Sequence, residues 1–174
     1  RVDIDITSED ARWEEATEAL GAMYRLLDNG QLGPNLSAER TARTAIGIKA
    51  DGTVLFYTVD GKPPGHSIGA SCAQVAQRLL ELGCVEAVGL DGGGSTTMGF
   101  TTPAQEVMAV VNRPSDGSER KNSTAIFLTT ELKATGVPAC LQVEPGDAIL
   151  LAGASLPLEA YQVDTGYRLM GKAE

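Results

Sequence analysis

An α+β fold is predicted for this chain: a mixed β-sheet with helices packed on it, followed by a partial small β module at the C-terminus. Three observations predict it. Two β-rich runs, 41–50 and 53–60, are joined by Asp51-Gly52, a strong hairpin signal. A capping pattern, Ser71 with Gln74 three residues later, opens a helix-periodic segment. After Glu131 the texture changes to short apolar runs punctuated at Pro145-Gly146 and Gly153. The expected division is therefore 1–131 for the main domain and 132–174 for the start of a small β-rich module.

The elements are expected in this order. Residues 1–6 alternate apolar and charged side chains and read as a strand. Ser8 followed by Glu9 and Asp10 suits a helix start, so a helix is expected from about Glu9 to Leu20, with an extension to Leu27 open. Asn29-Gly30 marks a turn, and residues 31–41 read as a loop. After the hairpin and the loop 61–70, the capped helix places Val75, Ala76, Leu79 and Leu80 on one face and stops at Gly83. The run 84–90 reads as a buried strand ending at Asp91. Two more strands are expected at 106–112 and 123–130, with the polar stretch RPSDGSERKN between them.

Composition narrows the function classes. The chain has 174 residues, and a hydrophobic share of 43% is enough for a core. With 14 Lys and Arg against 23 Asp and Glu, the net charge is −9. Such a chain repels a polyanion at long range, which argues against a nucleic-acid partner, as do the sparse aromatics. A single phosphate ester is still bindable through local Arg side chains and backbone N–H groups. No run of 18 apolar residues is present, so no membrane-spanning helix is encoded. The chain opens at Arg1 in a strand-like run without a signal peptide, and is expected to be a mature or trimmed fragment. Cys72 and Cys84 flank the capped helix, about 18 Å apart at 1.5 Å per residue, too far for a disulfide. The three cysteines are read as free thiols, mostly in the core.

Three segments carry candidate chemistry. In the first, Leu90 to Thr97 (LDGGGSTT), a buried strand delivers Asp91 to the sheet edge. Gly92, Gly93 and Gly94 then allow a tight turn and close approach to a ligand. Successive N–H groups in such a turn form an anion-binding concavity, and Ser95, Thr96 and Thr97 add hydroxyls. No Lys follows the glycines, so this is not a P-loop, and consecutive glycines do not match a dinucleotide fingerprint. The bland reading is a strained turn with a capping Asp. The second segment, Val111 to Arg120, offers Asn112, Arg113, Asp116 and Arg120 in one loop; the bland reading is a solvated loop. The third is the polar pair Arg43-Thr44 entering an apolar strand, which otherwise is an edge-strand charge. His66, the sole histidine, lies in a loop without an obvious Ser or Asp partner and reads as an ordinary loop residue rather than part of a Ser-His-Asp triad.

Taken in order, ARTAIGIKADG, a following Asp-Gly, a GxS-type helix start, LDGGGSTTM and VNRPSDGSER resemble the phosphodiester glycosidase family, named for N-acetylglucosamine-1-phosphodiester α-N-acetylglucosaminidase. The resemblance spans about residues 41–128. It implies removal of a sugar joined through its anomeric oxygen to a phosphodiester, and a secreted or cell-envelope setting in bacterial glycan metabolism. The family's polar positions fall on Arg43, Thr44, Asp91, Gly92, Gly93, Ser95, Asn112, Asp116 and Arg120. An upstream Asn-Gly and aromatic pair typical of the family is not found, so the missing N-terminal part of the same protein is an expected partner.

These readings assign Asp91 and Asp116 as the catalytic carboxylates. Substrate binding falls to Arg43, Thr44, Gly92, Gly93, Ser95, Thr96, Asn112 and Arg120, with Arg43, Arg120 and the N–H groups of Gly93 and Ser95 holding phosphate. The partner is a sugar phosphodiester or glycan substrate. No cofactor is required; Asp91, Asp116 and Asn112 offer oxygen ligands if a divalent cation takes part. The alternatives are a non-catalytic carbohydrate-binding or cell-envelope module of the same fold, and a hydrolase of cell-wall glycans that lack phosphate.

Overall fold

The Asp51-Gly52 turn sets the first unit of the fold. Gly52 takes φ +86 and its N–H donates to the Lys49 carbonyl, while Asp51 Oδ1 accepts from the Thr53 N–H. The flanking strands then pair in antiparallel register from Arg43↔Val59 to Ile48↔Val54. This computed structural model describes residues 2–5, 12–61, 64–105, 107–146 and 148–173. Its first unit takes in the chain up to Met98 together with 110–123, and its second takes in 99–109 and the chain from Thr124 onward.

The first unit is a five-stranded sheet with one α-helix. Strands β1 (Tyr24–Asp28), β2 (Gln31–Leu32), β3 (Arg43–Lys49), β4 (Val54–Val59) and β5 (Cys84–Gly89) lie in the order β2-β1-β5-β3-β4. Every neighbouring pair is antiparallel, which corrects the expected mixed sheet. The connection from β4 through helix α1 (Cys72–Glu81) carries β5 across β3 instead of laying it beside β4. β5 is thereby antiparallel to its neighbour β3.

Helix α1 forms where the capping pattern places it. Ser71 Oγ accepts from the Gln74 N–H at 3.2 Å, and Gln74 Oε1 accepts from the Ser71 N–H at 3.0 Å. Gly83, with φ +90, closes the helix. Its buried face, Cys72, Val75, Ala76 and Leu79, meets Leu26, Leu27, Ala45, Cys84 and Ala87 from the sheet. Gly47 is needed beneath it, since a β-carbon there would fall 2.6 Å from Cys84 Sγ. All three cysteines are free; Cys72 and Cys84 are buried and Cys140 is exposed.

The expected N-terminal elements are corrected. Residues 2–5 form no strand, and 1 and 6–11 lie outside the described residues. Arg12–Glu15 is a single 3-10 turn, and the segment assigned to a helix extension is instead β1. Leu20 and Met23 are exposed, so a helix here would have had no core to face, and a short unpacked helix is marginal in water. An irregularity in the β1–β5 register between Arg25 and Leu27 breaks the strict alternation, and the consecutive Leu26 and Leu27 both enter the core. Asn29 and Gly30, both with positive φ, join β1 to β2 in a two-residue hairpin turn. Helices packed on the sheet thus reduce, among the described residues, to the single α1.

The strand expected at 106–112 shrinks to β7 (Ala109–Val110), paired with β6 (Gly99–Phe100) in a two-stranded ribbon. The run 123–130 is no strand; Phe127 and Leu128 are exposed. A β-prone sequence forms a strand only where an edge is present to pair with it. In the second unit, β8 (Pro138–Glu144), β9 (Glu159–Asp164) and β10 (Leu169–Lys172) make a three-stranded antiparallel sheet in the order β10-β9-β8. Asp164 organises its turns: Oδ2 accepts from the N–H groups of Thr135 and Gly136, and Oδ1 from those of Gly166 and Arg168. Those four donors outweigh burial and hold the Asp164 carboxyl at about 2.

Candidate active site

Antiparallel pairing gathers the candidate segments at one end of the five-stranded sheet. β3 begins at Arg43 where β4 ends at Val59, and Ala45 of β3 lies opposite Gly89, the last residue of β5. Three stretches therefore leave the same sheet end: Ala42-Arg43-Thr44, Asp60-Gly61 and Leu90 to Ser95.

The glycine-rich turn is fastened to the start of β3. The Leu90 N–H donates to the Thr44 carbonyl, and the Gly93 N–H to the Ala42 carbonyl at 2.9 Å. Gly92 packs so closely that a β-carbon would fall 2.6 Å from the Ala42 carbonyl oxygen, and Gly93 takes φ +59. A 3-10 turn, Gly93–Ser95, follows, with the N–H groups of Ser95 and Thr96 donating to the carbonyls of Gly92 and Gly93. The Gly92 N–H donates to Asp91 Oδ1. The expectation that the Gly93 and Ser95 N–H groups hold phosphate is thereby corrected: both are bonded to backbone carbonyls. Asp91 itself is exposed at the head of the turn.

Arg120 and Asp116 close over the same turn. Arg120 donates to Asp116 Oδ2 at 2.8 Å and reaches Ser95 Oγ at 3.5 Å, while Asn122 Nδ2 donates to the Ser95 carbonyl at 3.3 Å. Gly94, buried, makes room for the pair. Thr96 is fully buried and accepts from Thr44 Oγ1 at 3.1 Å. Arg43 lies beside them but donates to the carbonyls of Ala70 and Glu39, with its guanidinium 6.0 Å from the Tyr24 ring centroid. Two of its five N–H donors thus hold the backbone around β3.

Asn112 is a clip. Its amide nitrogen donates to Asp60 Oδ1 and to the Thr96 carbonyl, both at 3.1 Å, and its oxygen accepts from the Met98 N–H at 2.8 Å. That oxygen is therefore already bonded, and among the described residues no three His, Cys, Asp or Glu side chains cluster as a metal site.

Asp60 is the residue the motif reading missed. Its Oδ1 accepts from Asn112 and from the Arg113 N–H at 3.0 Å, and its Oδ2 lies 2.6 Å from His66 Nε2. Burial works to raise its pKa, but the hydrogen bonds from His66, Asn112 and Arg113 outweigh it and hold the carboxyl below its ordinary value. His66, read as an ordinary loop residue, is thus paired. The available signal was an Asp-Gly at the end of a β-run, which looks like the turn at Asp51-Gly52.

The model of the phosphodiester glycosidase family matches residues 1–129. The chain belongs to that family. A further relative is the SPbeta prophage-derived uncharacterized protein YomE of Bacillus subtilis (strain 168), 37% identical over 78 residues, which are 45% of this chain and 11% of YomE. Among solved structures, the zebrafish N-acetylglucosamine-1-phosphodiester alpha-N-acetylglucosaminidase catalytic domain, auto-inhibited by its pro-peptide, is 23% identical with a TM-score of 0.43, covering 55% of this chain and 34% of that one. A hypothetical protein from Synechocystis is 26% identical with a TM-score of 0.43, covering 57% and 19%. This member of the phosphodiester glycosidase family thus spans about a tenth of the length of its curated relative. No helix among its described residues is long and apolar enough to cross a membrane.

Proposed function

We propose that this chain contributes the active site of a hydrolase that cleaves a glycosyl phosphodiester, a sugar linked through its anomeric carbon to phosphate, in a secreted or cell-envelope setting of bacterial glycan metabolism. The observation that carries this reading is the Asp91 carboxylate, exposed at the head of a turn anchored on Ala42, with the Asp116–Arg120 pair closing over that same turn. Glycoside cleavage passes through an oxocarbenium-like centre and commonly uses two carboxylates. Asp91 acts as nucleophile or base and Asp116 is the second carboxylate, oriented by Arg120. Phosphate is already a good leaving group, so holding its charge matters more than protonating it. Thr44, Thr96 and Asn112 keep the turn and loop in place, and Arg43 holds the entry to β3.

The test is turnover of sugar-1-phosphodiesters by the intact parent protein and its Asp91→Asn variant. Loss of about a hundredfold or more is expected. Unchanged turnover in the variant removes Asp91 from the mechanism. Glycan binding without any turnover by the parent protein points instead to a carbohydrate-binding module of the same fold.

A further inference from the structure

We propose that His66 and Arg113, both anchored on Asp60, form an anion subsite that takes the phosphodiester group. The inference rests on the hydrolase reading for the identity of the ligand, but not for the existence of the site. A phosphodiester bound at this sheet end needs cationic or N–H donors, and most of the obvious ones are committed. The Gly93 and Ser95 N–H groups bond to backbone carbonyls, Arg43 donates to Ala70 and Glu39, and Arg120 holds Asp116.

The Asp60 corner is different. One carboxylate holds His66 Nε2 at 2.6 Å on one oxygen and the Arg113 backbone N–H at 3.0 Å on the other, so both residues are anchored on a single group. Both side chains are exposed, and the Arg113 guanidinium makes no hydrogen bond or ion pair among the described residues. With Nε2 facing Asp60, the second ring nitrogen, Nδ1, is left for a ligand. In the imidazolium form Nδ1 carries a proton to donate, and a guanidinium offers a planar fork to phosphate oxygens.

Because His66 is the sole histidine, its ring resonance reports on the site directly by NMR. The probe is dimethyl phosphate, whose single charge does not titrate between pH 5 and 9. The His66 resonance is expected to move saturably as dimethyl phosphate is added. Arg113→Gln is expected to weaken binding about tenfold while leaving the amide spectrum folded, and Arg78→Gln on α1 to change nothing. The subsite is overturned if dimethyl phosphate moves the resonance no more than sodium chloride does, or if Arg113→Gln binds as tightly as the parent. Saturable binding without turnover of any sugar-1-phosphodiester upholds the subsite and sinks the hydrolase reading. Turnover that survives Arg113→Gln and His66→Gln unchanged sinks the subsite alone.

Discussion

Gly94 lies beneath the Arg120 guanidinium so closely that a β-carbon there would fall 2.1 Å from Arg120 Nη2 and 2.4 Å from Asp116 Oδ2. The Asp116–Arg120 pair is therefore seated on the third glycine of the Asp91 turn, and the two candidate segments are one construction. Gly94→Ala is expected to push aside two exposed side-chain ends rather than the backbone. Turnover should fall about tenfold or more, with a melting temperature within a few degrees of the parent. Kinetics and thermal unfolding of one preparation check both halves.

Gly92 is the contrasting case. Its missing β-carbon would meet the Ala42 carbonyl oxygen at 2.6 Å, an atom fixed in the β3 backbone. Gly92→Ala is expected to cost about 1–3 kcal/mol of stability, read from a shift in the denaturation midpoint. A melting curve superimposable on the parent's would show that the turn does not need this close approach.

Asn112 carries three bonds in one half-buried side chain, to Asp60, the Thr96 carbonyl and the Met98 N–H. Asn112→Ala leaves partners unsatisfied at about 1–3 kcal/mol each, so clear destabilisation is expected together with loss of activity. Asn112→Asp instead sets a second carboxylate against Asp60. Its stability should recover in part on acidification, whereas that of Asn112→Ala should not.

Asp164 and Asp60 make stability depend on pH in the same sense. Both folded-state pKa values lie below the ordinary carboxylate value, Asp164 at about 2. Each contribution is fully present above the unfolded value of about 3.9 and is lost as pH falls toward the folded one. Denaturant unfolding between pH 6 and pH 2 is expected to show the loss, and Asp164→Asn to flatten part of it. A parent curve level across that window would contradict the four-donor account of Asp164.

The helix offers a local check on the fold. Ser71→Ala removes the acceptor for the Gln74 N–H and should cost about 1 kcal/mol. Leu79→Ala empties a fully buried position between α1 and the sheet and should cost about 2–5 kcal/mol.

What the sequence determined by itself was local. The Asp51-Gly52 hairpin, the Ser71–Gln74 cap, the strand before Asp91 and the order of the family's motifs are all carried by residues within a few positions of one another, where backbone preference and hydrogen bonding act without help from the rest of the chain. Tertiary structure decided the rest. Whether 24–27 became helix or strand depended on β5 offering an edge to Leu26 and Leu27, and the β-prone run 123–130 found no such edge. The Gly93 and Ser95 amides looked open to an anion in the sequence but are taken by carbonyls, one of them Ala42, some fifty residues earlier. The Asp60 contacts to Asn112 and Arg113, unlike the local one to His66, join residues more than fifty positions apart at the sheet end where β3, β4 and β5 meet. Side chains up to about fifty residues apart meet there for reasons of strand register, which no window along the chain contains.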